Sequence, residues 1–146
     1  MKRTELRRTT PMPRPVTPMT RARAPRPRPA RDAHRQVAWA DLRLALYARC
    51  GGRCERCGRD LADCGFDGAH RKGRGQGGPD TPVNVAALCR RCHEGAHANP
   101  ARACDEGWMV PGWGDPAVTP VTLHNGRRVW LTPGGGYADR APAGAA

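Results

Sequence analysis

The sequence predicts a small α+β domain stapled by metal, with a helix on its N-terminal side and a β-hairpin on its C-terminal side. Three observations carry this. Two Cys-x2-Cys pairs, Cys54/Cys57 and Cys89/Cys92, bracket the middle of the chain. Apolar residues recur at helical spacing just before the first pair. Asn125-Gly126 stands between two β-branched runs, VTPVTL and RRVWL, and Asn-Gly in that setting is a strong hairpin signal.

Along the chain, residues 1–33 come first, with one Leu, one Val and no aromatic residue among many Arg, Pro and Thr. Such a segment buries too little apolar surface to offset its ordering entropy, so it reads as a disordered Arg/Pro-rich arm. Its ten Lys and Arg face only Glu5 and Asp32, so eight of the twelve net positive charges fall here. A basic arm beside a mildly basic domain favours a polyphosphate partner, since each neutralised phosphate releases counterions. A solvated tail without a partner is the competing reading.

The helix follows over HRQVAWADLRLALYA (34–48), where Val37, Leu44 and Tyr47 form one stripe and Trp39, Leu42 and Leu46 another. Asp32 is its expected N-cap, and Gly51-Gly52 ends it. RCERCGRDL is then a turn presenting two thiols, and FDGAH (66–70) a short extended segment. KGRGQGGPDTP (72–82) is too rich in glycine for a regular element. VNVAAL is a strand or turn up to Leu88, and a helix starts near Cys89 or Cys92 and closes before Pro100. These segments make up a domain over 34–110. Residues 111–146 are its β-hairpin extension, with a frayed ADRAPAGAA tail.

The four paired cysteines offer four thiolates for one tetrahedral zinc. The need for such a staple is plain, because only about 110 residues remain for structure and Phe66 is the only Phe. Seven cysteines without a secretory apolar region argue for a reducing compartment and metal ligation over disulfides. Cys50, Cys64 and Cys104 have no partner at this spacing, although Cys50 and Cys64 lie near enough to the first pair to exchange with a ligand. No apolar run is long enough to cross a membrane.

Between and after the pairs stand His70-x13-Asn84-x8-His93-x3-His97. Together with Cys54, Cys57, Cys89 and Cys92, these residues resemble the HNH endonuclease family, in its zinc-containing branch common in phages and bacteria. HRKGRGQGGPDTPVN and LCRRCH look like that family's central segments, and the resemblance covers about residues 50–100.

The resemblance implies a ββα-metal (His-Me finger) core with a structural zinc and a second, catalytic ion, Mg²⁺, Mn²⁺, Ni²⁺ or Zn²⁺. It implies metal-dependent hydrolysis of DNA, with His70 as general base, Asn84 holding the loop and His93 as ligand of the catalytic metal. An unperturbed imidazole titrates at about 6.5, so a neutral histidine accepts water's proton near neutral pH. His97, four residues after His93, shares its helix face and is a second ligand. Arg71, Lys72 and Arg74 follow the base, where a DNA phosphate docks.

Each assignment has a plainer rival: a surface imidazole in a flexible glycine-rich loop for His70, a turn for Asn84, a helix C-terminal charge for His97, a solvated loop for the three cations. The pattern also breaks at Ala69, where many members carry an Asp or His ligand. Asp67, on the same side of an extended segment, is one substitute ligand; the alternative is a metal resting on His93, His97, water and substrate phosphate. Two alternatives accompany the nuclease reading: a non-catalytic zinc-stapled nucleic-acid-binding module, and a phage packaging or recombination accessory protein that uses the hairpin as its partner surface. The expected location is the cytoplasm of a bacterial host cell, with no membrane partner; the oligomeric state is left open.

Overall fold

Leu42 and Leu46, one helical turn apart, are both buried, and they decide which side of the first helix faces inward. In the computed structural model, which describes residues 30–143 with side chains from Ala38 onward, that helix is α1 (Ala30–Arg49). Trp39 packs against the core with them, whereas Leu44 and Tyr47 are exposed. Of the two expected apolar stripes, only the one through Trp39, Leu42 and Leu46 is a core face. Val37 lies outside the described side chains. The helix starts before Asp32, so Asp32 belongs to its first turn and is not its N-cap. Most of the basic arm, residues 1–29, lies outside the described residues, as do residues 144–146 of the tail.

Gly51 and Gly52 end α1 at φ +58° and +72°, the left-handed region that glycine enters without strain. The chain then turns through the first cysteine pair into α2 (Leu61–Cys64), capped by the Asp60 carboxylate accepting from the Ala62 N–H at 2.8 Å. The strands β1 (Asp67–His70) and β2 (Val85–Leu88) pair antiparallel, with Asp67 opposite Leu88 and His70 opposite Val85. The glycine-rich loop between them contains one 3-10 turn, Arg74–Gln76. Helix α3 (Arg90–Ala98) leaves β2 directly. α4 (Pro100–Asp105) follows with Pro100 in its first turn and Asn99 as its N-cap. A three-stranded sheet completes the chain, in the order β3 (Val121–Thr122), β4 (Arg128–Leu131) and β5 (Tyr137–Ala138).

β2 is buried along its whole length. Its central residues are Ala86 and Ala87, small enough for α1 and α3 to approach it closely. The C-terminal sheet joins this same core through Val121, Leu123, Val129 and Leu131. At the junction Glu55 and Arg49 form an ion pair whose side chains are both fully buried. Arg49 donates to both Glu55 carboxylate oxygens (2.8 and 2.9 Å) and to the carbonyls of Pro82 and Val85. Glu55 also accepts from the Ala87 N–H and the Tyr137 hydroxyl, both at 2.6 Å. One carboxylate thereby ties α1, the first cysteine turn, β2 and β5 together. Burial and the Glu55 charge push the Tyr137 phenol well up, so it stays a donor.

A buried pair broken from one side leaves an uncompensated charge, which costs about 3–5 kcal/mol. Glu55→Gln is therefore expected to lower unfolding stability in urea by about that amount. Glu106→Gln, which alters the part-exposed pairs with Arg56 and Arg102, should cost less than about 1 kcal/mol. Equal effects of the two substitutions would remove Glu55 from its central place.

Candidate functional site

The first thiol pair sits on a tight turn. Its Cys54 N–H donates to the Arg59 carbonyl at 2.8 Å, and the Gly58 N–H donates to the Cys54 carbonyl at 2.8 Å. The second pair straddles the start of α3, with Cys89 as its N-cap residue and Cys92 in its first turn. All four sulfurs lie within 4.8 Å of one another, the only such cluster among the described residues. Cys57 Sγ and Cys89 Sγ are 3.8 Å apart. Sulfurs at 2.3 Å from the centre of a tetrahedron stand about 3.8 Å apart, so the set fits zinc.

Burial pushes the Cys54 thiol up to about 11 and raises Cys92 further, whereas at Cys89 the surrounding donors outweigh burial and lower it. A bound cation would favour the thiolates at all four positions. Arg56, Arg59, Arg91 and Arg102 line the adjoining cleft, where they would offset the negative charge of four thiolates on a bound ion. Cys64 lies beside the cluster, its thiol raised by burial and then by Cys89, and it donates to the Asp60 carbonyl at 2.8 Å. Cys50 donates instead to the Tyr47 carbonyl, and Cys104 is exposed.

Asn84 is fully buried and spans the mouth of the glycine-rich loop. Its side-chain oxygen accepts from the Lys72 N–H (2.8 Å), and its amide nitrogen donates to the carbonyls of Lys72 and Pro79 (both 3.0 Å). A plain turn residue would not bridge both ends of the loop. Gly78 is needed for this closure, since an added Cβ there would stand 1.8 Å from the Lys72 carbonyl oxygen.

His70 ends β1 at the loop's edge. Its ring stacks on Trp39 of α1, with centroids 5.4 Å apart and planes 7° from parallel. His70 Nε2 lies 2.7 Å from Asp80 Oδ1, and Arg74 Nε donates to the same oxygen at 2.9 Å. At Asp80 burial alone would raise the carboxyl, but the bonds from Arg74 and His70 prevail and hold it below the usual carboxylate range. As an ionised acceptor it takes a hydrogen bond from His70 Nε2, and in the neutral form of the ring Nδ1 then carries the lone pair.

β-alternation turns Asp67 and Ala69 to one side of β1 and Gly68 and His70 to the other. Gly68 lies under Trp39, where an added Cβ would stand 3.0 Å from the indole. Asp67 meets α3: its Oδ2 is 3.2 Å from His93 Nδ1, and Arg90 reaches its Oδ1 at 3.1 Å. His93 Nε2 and His97 Nε2 are 3.3 Å apart. Nitrogens about 2.1 Å from one tetrahedral ion stand about 3.4 Å apart, so this pair fits a divalent ion with open positions.

Asp67 lies against His93 and Arg90. It engages the ring nitrogen on the far side of His93, the arrangement by which a carboxylate orients a metal-binding imidazole. Ala69 is buried and offers no donor. Among the described residues no hydrogen bond or ring contact joins His70 to His93 or His97.

Arg71, expected to meet a DNA phosphate, faces inward instead. It is 1% exposed and donates to the carbonyls of Gly107, Val83, Pro116 and Thr119, so one of five N–H donors remains for a phosphate. Burial pulls its guanidinium down to about 10, still charged at neutral pH. Lys72 and Arg74 do reach the surface; Lys72 Nζ donates to the Gly114 carbonyl at 3.1 Å, and Arg74 lies over Trp39 at 4.7 Å.

Asp80 and Trp39 are the site residues that sequence reasoning missed. Asp80 sits in a GGPDTP turn whose composition announces a loop and nothing more, and Trp39 reads as ordinary helix core. The chain's comparison with known families gives a match over residues 54–99 to the HNH endonuclease family, whose span holds all four cysteines, His70, Asn84 and His93. No curated protein and no solved structure matches the chain. The family match supports a nuclease-type function, and the cysteine-rich metal feature fits it.

Proposed function

On the premise of an HNH endonuclease segment over residues 54–99, we propose that the chain hydrolyses DNA phosphodiester bonds, with His70 as general base and a divalent ion held by His93 and His97. The observation that carries this is the His70–Asp80 pair at 2.7 Å, which fixes a histidine with its Nδ1 lone pair at the mouth of a cationic loop. His70 Nδ1 takes the proton of the attacking water, and Asp80 stabilises the imidazolium that forms. Asn84 holds the loop so that Asp80 keeps its place. Lys72 and Arg74 receive the flanking phosphates, and Trp39 excludes water from one face of the imidazole. His93 and His97 would hold the divalent ion, which when bound would supply charge stabilisation for phosphodiester hydrolysis. The products are 5′-phosphate and 3′-hydroxyl ends.

Plasmid nicking tests this. Protein stripped of loosely held ions and resupplied with Mg²⁺, Mn²⁺, Ni²⁺ or Zn²⁺ is expected to convert supercoiled plasmid to open circle only on resupply. No nicking with any of the four ions overturns the proposal. Ala69, where a ligand is expected, favours a second reading as a zinc-stapled nucleic-acid-binding module. Retained DNA binding without nicking would select it.

The arm contributes separately. Residues 1–29 carry nine Lys and Arg against Glu5, ahead of the first helix. Their deletion is expected to weaken DNA binding and flatten the plot of log affinity against log salt, by about 0.9 for each phosphate that the arm no longer neutralises. An unchanged slope removes the arm from DNA binding.

A further inference from the structure

Trp113 is 91% exposed, the most exposed of the large apolar side chains among the described residues. It stands between Gly112 and Gly114 on a loop whose base is firmly held. The Gly114 N–H closes a turn onto the Pro111 carbonyl at 2.8 Å, and the Val110 N–H donates to the Arg71 carbonyl at 2.8 Å. The buried Arg71 guanidinium gathers both flanks, taking the carbonyl of Gly107 on one side and those of Pro116 and Thr119 on the other. An added Cβ on Gly114 would stand 2.8 Å from the Val110 side chain, so the turn is tightly packed at Gly114.

The loop also abuts the candidate active site. Lys72, two residues after His70, donates to the Gly114 carbonyl, and Gly112 lies against Gln76 of the glycine-rich loop. A bare indole on a pinned loop, flanked by Lys72, joins a flat apolar surface to a cation. Both features suit nucleic acid, whose bases stack on aromatic rings and whose phosphates take the charges.

Resting on the reading of the chain as a DNA phosphodiesterase, we infer that Trp113 is a wedge that inserts between base steps of the DNA beside the bond that His70 attacks. Insertion unstacks a step and bends the duplex, which presents its backbone to the loop that carries Lys72 and Arg74. Arg71 serves this contact indirectly, as the clamp that aims the loop.

The test uses the full chain with its zinc, a short fluorescein-labelled DNA duplex, and the same duplex carrying 2-aminopurine. Trp113→Ala is expected to weaken binding by about 5- to 100-fold, with the salt slope unchanged. Lys72→Ala is expected to lower that slope by about one. Wild type is expected to raise 2-aminopurine fluorescence on binding, Trp113→Phe to keep most of the rise, and Trp113→Ala to lose it. The unfolding midpoint of Trp113→Ala checks that the exposed position is silent in folding. Binding and fluorescence equal to wild type in Trp113→Ala overturn the wedge alone, with the nuclease reading judged by plasmid nicking. A wild type that binds no DNA overturns both.

Discussion

His70→Ala is expected to lower metal-dependent plasmid nicking by about 10²–10⁴-fold, the contribution of one well-placed general base. The imidazole is oriented twice, by Asp80 at 2.7 Å on Nε2 and by the Trp39 face 5.4 Å away, and its removal touches neither the His93–His97 pair nor the four-cysteine cluster. DNA affinity should therefore stay near wild type while turnover falls. Asp80→Asn keeps the size and a hydrogen bond but loses the charge that stabilises the imidazolium, so it should show a smaller loss of the same kind. Its carboxylate also holds Arg74, so a change in DNA affinity measured alongside separates the two duties. Equal nicking by wild type and His70→Ala would mean that the activity is not this protein's.

Removal of the zinc is expected to unfold the domain. The apolar core is modest: β2 contributes Val85, Ala86, Ala87 and Leu88, and the lone Phe66 is only partly buried. Structural zinc in small domains supplies about 10–16 kcal/mol, comparable to the whole stability of an ordinary domain at about 5–15 kcal/mol. Cys54 is fully buried, accepts the Cys89 N–H at 3.3 Å and lies beside Glu55. Loss of the centre would free the start of α3 and the turn that carries the buried ion pair. Cys54→Ser should lose its zinc on dialysis and its far-ultraviolet helical signal with it. Cys50→Ser and Cys64→Ser should keep one zinc per chain. A folded, zinc-free Cys54→Ser protein would sink the staple.

Elements with a strong local cause are legible in the sequence. Leu42 and Leu46 at i, i+4 announce α1, and Asn125-Gly126 announces the β3–β4 hairpin. The α4 helix also has a readable start in Asn99-Pro100, an N-cap followed by proline, although proline there reads first as the end of α3. α2 and β5 are four and two residues long, too short for any periodicity to appear. The second apolar stripe of α1 fails as a core prediction because spacing reveals a face without saying which face meets the rest of the chain.

The ligand set for zinc and the histidine motif need no fold to be seen. Cysteine spacing and the order His70, Asn84, His93 are local or regular patterns, and chemistry limits what such patterns do. What each charged group faces, in contrast, is fixed by packing in three dimensions. Arg71 lies next to His70 in sequence and reads as a phosphate contact, yet strand alternation turns it inward onto four carbonyls. Asp80 is ten residues from His70 and reaches it because Asn84 and Gly78 close the loop between them. Glu55 finds Arg49, Ala87 and Tyr137 only when four separate elements converge. A long-range polar contact depends on where the backbone carries both partners, and no single stretch of residues holds that information.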